Sequence, residues 1–516
     1  MKQAWHAESK FEVQDYFCYF QKMDSCPLIR PAQRRGTDKC CKLMIRMAVL
    51  FAAASIAAII LVSCTGKGSG KHPGDETNAK FTGKPGEVKL MTLNPGHFHA
   101  ALVQKSMYRE IDSVVHVFAP EGPEVEEYLA FIDSYNSREE NPTHWKEVVY
   151  TGPDYLEKML SGKPGNVVVL SGNNRMKTEY ILRSLEDGIN VLADKPMAID
   201  MEDFEMLSRA FEVAEDKDLL LYDIMTERYE ITTILQRELA MIPAVFGTLV
   251  EGTAEDPAVT KESVHHLFKY VSGTPLVRPP WALDARQQGG GLVDVTTHLV
   301  DLIQWECFPE RIIDYENDIR LLSARQWSTE LNPEQFSKIT QLDSYPDYLK
   351  EYLVRDSVLA VPCNGEINYT LFGVHAKVSV TWAFQAPEGT GDTHCSIMRG
   401  TRANLIIRQG MEEKFIPTLY IEPLQEAGSF ATDLEGNFKM LQQKYPGIEL
   451  TRNEEGWVVA IPDRYRVGHE AHFAQVMKKY LEYLVQGDMP DWEVPNMIAK
   501  YYVTTHSLGL AGQDPG

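Results

Sequence analysis

The 516-residue chain is short of basic residues and, beyond its N-terminus, short of cysteine. Its 51 Lys and Arg are outnumbered by 73 Asp and Glu, and a net charge of −22 argues against nucleic acid or anionic membrane surfaces as partners. Only Cys307, Cys363 and Cys395 lie beyond residue 64. No Cys/His cluster has the spacing of a zinc site, so the sequence predicts no metal.

Long hydrophobic runs are also scarce, and the clearest is residues 47–62. This run is short for a membrane span but suits the core of a signal peptide. It ends at Leu61-Val62-Ser63-Cys64, which resembles the lipobox of bacterial lipoproteins, where the peptide is cut before a cysteine that becomes lipidated. We therefore expect an exported protein on the periplasmic side of the membrane, anchored only by lipid at Cys64. A transmembrane anchor is the alternative, but a polar tether follows the run.

The length exceeds that of one hydrophobic core, so we expect two domains. From residue 88, short apolar runs alternate with helical stretches, which indicates an α/β, Rossmann-type doubly wound parallel sheet. Later strands follow one another with few helices, which indicates an α+β domain with a large, mostly antiparallel open sheet and C-terminal helices. The predicted division is 1–63 extension and signal peptide, 64–85 tether, 86–228 doubly wound domain and 229–516 α+β domain. Two segments, 309–360 and 423–466, fit neither pattern.

Residues 289–305 contain no Lys, Arg or Glu, which is unusual for a surface helix. Wound as a helix, Asp294, His298, Asp301 and Trp305 lie within one narrow arc, and apolar residues lie on another. Titratable groups that converge on one face of a buried helix are typical of an active site. A buried helix with satisfied polar residues is the alternative, and this segment alone does not decide between them.

Ligands of a doubly wound sheet bind at the carboxyl ends of its strands. Candidate cofactor residues at that edge are Asn94, Gly96, His97 and Phe98 after the first strand, Glu121 after the second, Ser171, Asn173 and Asn174 after the fourth, and Asp194, Lys195 and Pro196 after the fifth. The first loop is not a GxGxxG fingerprint, although the helix after it could hold a pyrophosphate. Glu121 is the candidate for the adenosine ribose. No Lys or Arg lies between Arg109 and Arg138, which favours NAD over NADP.

Taken together, these segments resemble the Gfo/Idh/MocA family of sugar and cyclitol oxidoreductases. Residues 193–198 (Ala-Asp-Lys-Pro-Met-Ala) are similar to its Glu-Lys-Pro motif, and Arg228-Tyr229 to its Arg-aromatic pair. Its second-domain signature matches Trp281-Ala-Leu-Asp284, then Gly289-Gly-Gly and Asp294-x3-His298-x2-Asp301-x3-Trp305. The chain departs from the family in its glycine loop, in Ser171-Gly172 and in Thr296, which bears on cofactor affinity more than on the fold.

The resemblance implies hydride transfer between nicotinamide and a secondary carbinol carbon of a sugar, glycoside or cyclitol. His298 would take the hydroxyl proton, Lys195 would donate to the substrate oxygen, and Asp294 would bind a second hydroxyl or orient the imidazole. The implied substrate-binding residues are Arg228, Trp281, Asp294, His298 and Asp301.

Free NAD is expected to be scarce outside the cytoplasm, so an exported enzyme of this kind would hold its cofactor tightly and recycle it. Two other functions stay open on the same fold. One is an NAD-dependent glycosidase-like enzyme that cleaves through a transient 3-keto intermediate. The other is a sugar-binding lipoprotein without activity. A homo-oligomer is expected because the family often associates through its open sheet.

Overall fold

The computed structural model describes residues 81–512, except 272–273, 356, 389 and 425–428. The predicted extension, signal peptide, Cys64 and most of the tether lie outside the described residues. Among the helices of the described part, none is both long and apolar enough to cross a membrane.

The first sheet has six parallel strands in the order β3-β2-β1-β4-β5-β6. They are β1 Leu90–Leu93, β2 Val114–Ala119, β3 Lys146–Thr151, β4 Val167–Leu170, β5 Asn190–Asp194 and β6 Leu221–Ile224. The helices between them are α1 His99–Leu102, α2 Pro123–Ser137, α3 Tyr155–Gly162, α4 Lys177–Glu186 and α5 Met201–Asp216. The central strands are buried along their whole length because helices cover both faces, which explains their unbroken apolar runs. The predicted doubly wound sheet is confirmed, and its order reverses between β1 and β4, where ligands of such sheets bind.

The second sheet has ten strands, and β13–β7 is its parallel pair. Its members are β7 Val259–Phe268, β10 Ile319–Leu331, β11 Leu353–Val354, β12 Val358–Leu371, β13 Val374–Gln385, β14 Thr393–Arg399, β15 Ala403–Gln409, β16 Thr418–Pro423, β17 Glu449–Arg452 and β18 Trp457–Ala460. The short strands β8 Tyr270–Val271 and β9 Thr274–Pro275 form a separate ribbon. The predicted large, mostly antiparallel sheet is therefore confirmed.

Helices of the second half are α6 Ile231–Ala240, α7 Ala285–Gln288, α8 Thr296–Cys307, α9 Pro333–Thr340, α10 Phe430–Lys444, α11 His469–Gln486 and α12 Glu493–Ala511. Helix α8 contributes Leu299, Val300 and Ile303 to the core beneath the second sheet. Helices α11 and α12, which the sequence analysis grouped with the second domain, also complete the core of the first sheet. The C-terminus thus returns to the N-terminal domain and joins the two.

Several predicted elements differ from the structure. The helix expected over 289–305 begins only at Thr296. Gly289 and Gly290 adopt left-handed φ angles of 104° and 66°, which a helix does not allow. Gly291 packs so closely on Asn364 that a Cβ there would overlap the backbone of Asn364. Asp294 therefore precedes the helix. The apolar residues 245–250 also favour a strand, but this segment forms turns and a bend with an isolated bridge at Leu249. Strand β10 was missed because two register shifts break its two-residue period.

Candidate active site

Lys195 and Asp294 bring the motifs of the two domains into direct contact. Lys195 follows the last residue of β5, and Asp294 lies in the turn before α8. Lys195 Nζ donates to Asp294 Oδ1 at 2.7 Å, and the two side chains are only 10% and 13% exposed. Burial acts to raise the pKa of Asp294, but the charge and hydrogen bond of Lys195 outweigh it and hold this pKa below its usual value. Asp294 is therefore a carboxylate at neutral pH.

His298 lies in the first turn of α8, one turn beyond Asp294. Its Nδ1 atom is buried and has no hydrogen-bond partner among the described residues. Burial, and next the charge of Lys195, lower the pKa of His298 well below its usual value, although Asp301 and Asp194 act in the opposite direction. The imidazole is therefore neutral at physiological pH, and a ring nitrogen is free for a ligand.

Asp194, at the end of β5, is the centre of a second buried polar cluster. Its Oδ2 accepts from Ser171 Oγ at 2.8 Å and forms a 2.9 Å hydrogen bond with His99 Nδ1. Its main-chain oxygen accepts from Lys177 Nζ at 3.0 Å. Burial would raise the pKa of Asp194, but His99 and then Lys177 hold it well below its usual value. Burial in turn lowers the pKa of Lys177 to about 8.

This cluster contains the group of residues best placed to ligate a metal ion. One ligand atom each from His97, His99 and Asp194 lies within 4.8 Å of the other two. The sequence analysis predicted no metal because it searched for spacing along the chain. His99 was missed although it lies in the loop segment that was singled out. Lys177 lies in an ordinary helical pattern, which gave no signal.

The loop after β1 fits the role of a cofactor cradle. Asn94 adopts a left-handed φ of 49°, and Gly96 N donates to Ser171 O at 3.2 Å. A Cβ on Gly96 would approach Gly172 and Asn173 at 3.6 Å and the ring of Trp281 at 3.7 Å. Position 96 therefore lies in a narrow gap at the point where the strand order reverses.

Glu121 is exposed in the turn after β2, where a carboxylate can hold a ribose. With α1 only four residues long, its macrodipole adds little to anion binding. The residues nevertheless fit a nicotinamide dinucleotide, because the cradle and the carboxylate stand at the expected edge. Gly96, His97, Phe98 and Glu121 would hold it.

Asn173 and Asn174 were expected to contact the nucleotide, but their amides are engaged with the second domain. Asn173 Nδ2 donates to Gln287 Oε1 at 2.6 Å, and Asn174 Nδ2 donates to the main-chain oxygen of Gln288 at 3.0 Å. These bonds connect the loop after β4 to α7. Pro196 follows Lys195 through a cis peptide bond.

A small cavity next to Asp294 has further polar walls. Its volume is about 40 Å³, and Arg278, Cys363 and Trp382 are among its lining residues. His265 stacks near Trp382 with 4.9 Å between ring centroids, and its charge contributes to the low pKa of Asp294. The sequence analysis missed Arg278, although it lies three residues before the predicted Trp281.

Arg228 and Asp301, two predicted substrate ligands, belong instead to a buried ion network. Arg228 Nε and Nη2 each donate to an oxygen of Asp301 at 2.7 Å, and Nη1 lies 3.1 Å from Glu493 Oε2. Lys500 Nζ lies 2.8 Å from Asp301 and 2.7 Å from Asp223. Burial opposes ionisation of Asp301, but Arg228 and then Lys500 hold its pKa far below the usual value.

This network connects β6, α8 and α12, so it locks the two domains together beneath the site. Trp305 lies outside it, where the Arg237 guanidinium stands 4.6 Å from the indole centroid. The predicted arc therefore separates into a part at the candidate active site, Asp294 and His298, and a part whose contacts are structural.

Comparison with known proteins gives matches over nearly all of the described chain. Residues 94–222 match the Gfo/Idh/MocA model, described as an oxidoreductase family with an NAD-binding Rossmann fold. Residues 235–512 match a model described as a "putative oxidoreductase C terminal domain". No curated protein matches the chain.

Among solved structures, a "putative oxidoreductase" from Parabacteroides merdae ATCC 43184 is 55% identical, over 84% of this chain and 99% of that chain, with a TM-score of 0.83. A structure from Thermotoga maritima with the same description is 14% identical over 83% and 99% of the two chains, with a TM-score of 0.51. Levoglucosan dehydrogenase in complex with NADH is 11% identical over 83% and 97%, with a TM-score of 0.53. The last two show similarity of fold alone.

Proposed function

The chain belongs to the Gfo/Idh/MocA oxidoreductase family and has its NAD-binding Rossmann domain, and from this premise we propose that it oxidises or reduces a secondary hydroxyl carbon of a sugar, glycoside or cyclitol with a nicotinamide cofactor. The observation that carries the proposal is the buried contact between Lys195 and Asp294, 2.7 Å apart and beside a neutral His298. A binding protein has no need of this combination of an ammonium, a carboxylate and a free imidazole nitrogen.

Each of the three residues has a defined task. The ammonium of Lys195, fixed by Asp294, donates to the substrate oxygen and stabilises the negative charge that develops there. His298 accepts the hydroxyl proton, because burial keeps its imidazole neutral and therefore able to act as a base. Asp294 holds Lys195 in place and accepts from a second substrate hydroxyl. When bound, the nicotinamide would accept or supply the hydride.

For the cofactor we favour NAD over NADP. The exposed carboxylate of Glu121 after β2 suits a ribose with free hydroxyls and would repel a 2′-phosphate. Levoglucosan dehydrogenase, which shares the fold, is described in complex with NADH. We also propose that the protein is exported as a lipoprotein anchored at Cys64, carries its cofactor tightly bound and forms a homo-oligomer. Intact mass and lipid analysis of membrane fractions would test the anchor.

The first experiment is native mass spectrometry of protein purified without added nucleotide, followed by identification of any ligand released by acid. Bound NAD(H) supports an oxidoreductase that carries and recycles its cofactor. Failure to bind added NAD or NADP contradicts the redox function and favours the sugar-binding alternative.

A second assay separates the two enzymatic possibilities. Protein loaded with NAD is incubated with aryl glycosides and with free sugars, and products are identified by chromatography. Release of the aglycone without net reduction of NAD would favour the glycosidase-like route. A keto sugar formed together with NADH supports a dehydrogenase.

A further inference from the structure

Arg278 is an arginine held in a fixed position at the wall of the candidate active site. It lies between β9 and Trp281, and its Nε donates to Leu267 O at 2.6 Å while Nη2 donates to His266 O at 3.2 Å. Its guanidinium lies 5.1 Å from the ring centroid of Trp382. Main-chain carbonyls and an aromatic ring thus fix the guanidinium without neutralising its charge.

Among the described residues, no carboxylate forms an ion pair with Arg278. The carboxylates that influence it, Asp294 and Asp392, already have cationic partners. Asp294 pairs with Lys195 at 2.7 Å, and Asp392 lies 3.1 Å from Lys269 Nζ. Each of these two carboxylates therefore pairs with another cation, and Arg278 has no carboxylate partner among the described residues.

The contrast with Arg228 shows what a purely structural arginine looks like in this fold. Arg228 is bidentate to Asp301 and pairs with Glu493, so its charge is fully compensated. Arginine stays protonated in proteins, and an uncompensated charge removed from water is costly. A guanidinium held in this way beside a catalytic pair is typical of an anion-binding group.

The cavity beside Arg278 places that anion next to the Lys195–Asp294 pair. Arg278 and Asp294 line the same open pocket, so a ligand in this space meets both side chains. A guanidinium offers two parallel N–H groups that match the two oxygens of a carboxylate.

We propose that the substrate is a sugar acid, of the hexuronic or aldonic class, whose carboxylate binds Arg278 while its carbinol carbon lies at Lys195 and Asp294. This inference rests on the proposed oxidoreductase function and narrows its substrate class. The carboxylate supplies the missing counter-charge and fixes the orientation of the substrate in the cleft.

The test compares acids with uncharged counterparts of nearly the same shape by titration calorimetry, without turnover. The probes are D-glucuronate with D-glucuronamide, D-galacturonate with D-galactose, and D-gluconate with D-gluconamide, each measured with and without saturating NADH, which cannot oxidise an alcohol. We expect at least one acid to bind about 10- to 100-fold more tightly than its neutral counterpart, as for a charge-assisted bidentate hydrogen bond. If no acid is preferred to its neutral counterpart, the proposal is wrong.

Two variants and a control assign the preference to the residue. Arg278→Gln should abolish the preference for the acid. Arg278→Lys should keep only part of it, because lysine has the charge but not the two parallel N–H groups of a guanidinium. Arg320→Gln, at an exposed arginine of β10, should leave the preference unchanged. Circular dichroism and thermal melts check that each variant folds. If Arg278→Gln does not fold, the comparison of acid with amide on the unaltered protein still tests the proposal.

Two outcomes in the variants would contradict the proposal. One is an acid preference that survives in Arg278→Gln. The other is a loss of NAD affinity in both Arg278 variants with sugar discrimination unchanged, which would assign the guanidinium to the cofactor pyrophosphate. Failure of the oxidoreductase function itself is distinguishable, because it appears as absence of NAD(P) binding and not as a lost preference among sugars.

Discussion

Replacing Lys195 by Met removes one charge of the buried pair at nearly constant side-chain volume. Asp294 then keeps its carboxylate in a site where it is 13% exposed, without the ammonium 2.7 Å away. Breaking a buried pair costs about 3–5 kcal/mol, and the residual exposure of both side chains places the expected cost near the lower limit, about 3 kcal/mol.

This cost can be converted to a melting temperature. About 420 residues are described, and an unfolding entropy of about 2.1 cal/mol/K per residue gives a total of about 0.9 kcal/mol/K. A loss of about 3 kcal/mol should therefore lower the Tm of Lys195→Met by about 3 °C. The turnover number should fall about 100- to 1000-fold, because a donor to the developing oxyanion is lost.

The double variant Lys195→Met/Asp294→Asn separates stability from catalysis. It removes both charges, so no carboxylate is left buried without a partner, and most of the lost Tm should return. Activity should stay at or below the level of Lys195→Met, because Asp294 also accepts from a substrate hydroxyl. The assays are differential scanning calorimetry and nicotinamide absorbance with the best substrate found. The reasoning would be refuted if Lys195→Met kept its activity, or if the double variant regained activity with its stability.

Other parts of the structure give three further predictions. Asp194→Asn should lower the free energy of unfolding by about 2 kcal/mol at pH 7. The pKa of Asp194 is depressed in the folded protein, so its carboxylate stabilises the fold fully above the unfolded-state pKa of about 3.9 and loses this effect as the pH falls below that value. The difference in melting temperature between Asp194→Asn and the unaltered protein should therefore narrow below about pH 4. The His298 resonance, assigned with His298→Asn, should not titrate between about pH 5.5 and 8 in NMR spectra, and a midpoint near 6.5 would contradict a buried neutral ring. Lys500→Met should lower the free energy of unfolding by about 3–5 kcal/mol, since this fully buried ammonium pairs with two carboxylates. Lys350→Met, at an exposed pair, should change it by less than about 1 kcal/mol, and equal effects of the two substitutions would contradict the network.

The family and both sheets were predictable because they follow from local patterns. Runs such as Val167–Leu170 mark strands buried on both faces, and the alternation with helices fixes a parallel doubly wound sheet. The residues around Lys195 and Asp294 were recognisable as motifs. The ion pair between them was not predicted, because it joins residues 99 positions apart in the chain.

The failures have a common cause in contacts between distant segments. The helix that begins at Thr296 was predicted to begin seven residues earlier, at Gly289, because the residue pattern allowed it, whereas the approach of Gly291 to Asn364 requires a turn. Strand β10 has bulges that break its periodicity, and these are set by its pairing with β12. Arg228 and Asp301 matched a motif, but the structure shows that they pair with each other. Arg228 also pairs with Glu493 and Asp301 with Lys500, and both of these partners lie on α12.

The sequence by itself determined the two sheet types and the family and singled out Lys195, Asp294 and His298, because periodicity and short motifs are properties of neighbouring residues. Tertiary structure decided which charges are compensated. Asp301 and Arg228 neutralise each other beneath the site, Asp194 gathers His99 and Lys177, and Arg278 is left without a carboxylate beside Asp294. Charge compensation depends on distances between residues far apart in the chain, so it becomes visible only when the domains are packed together.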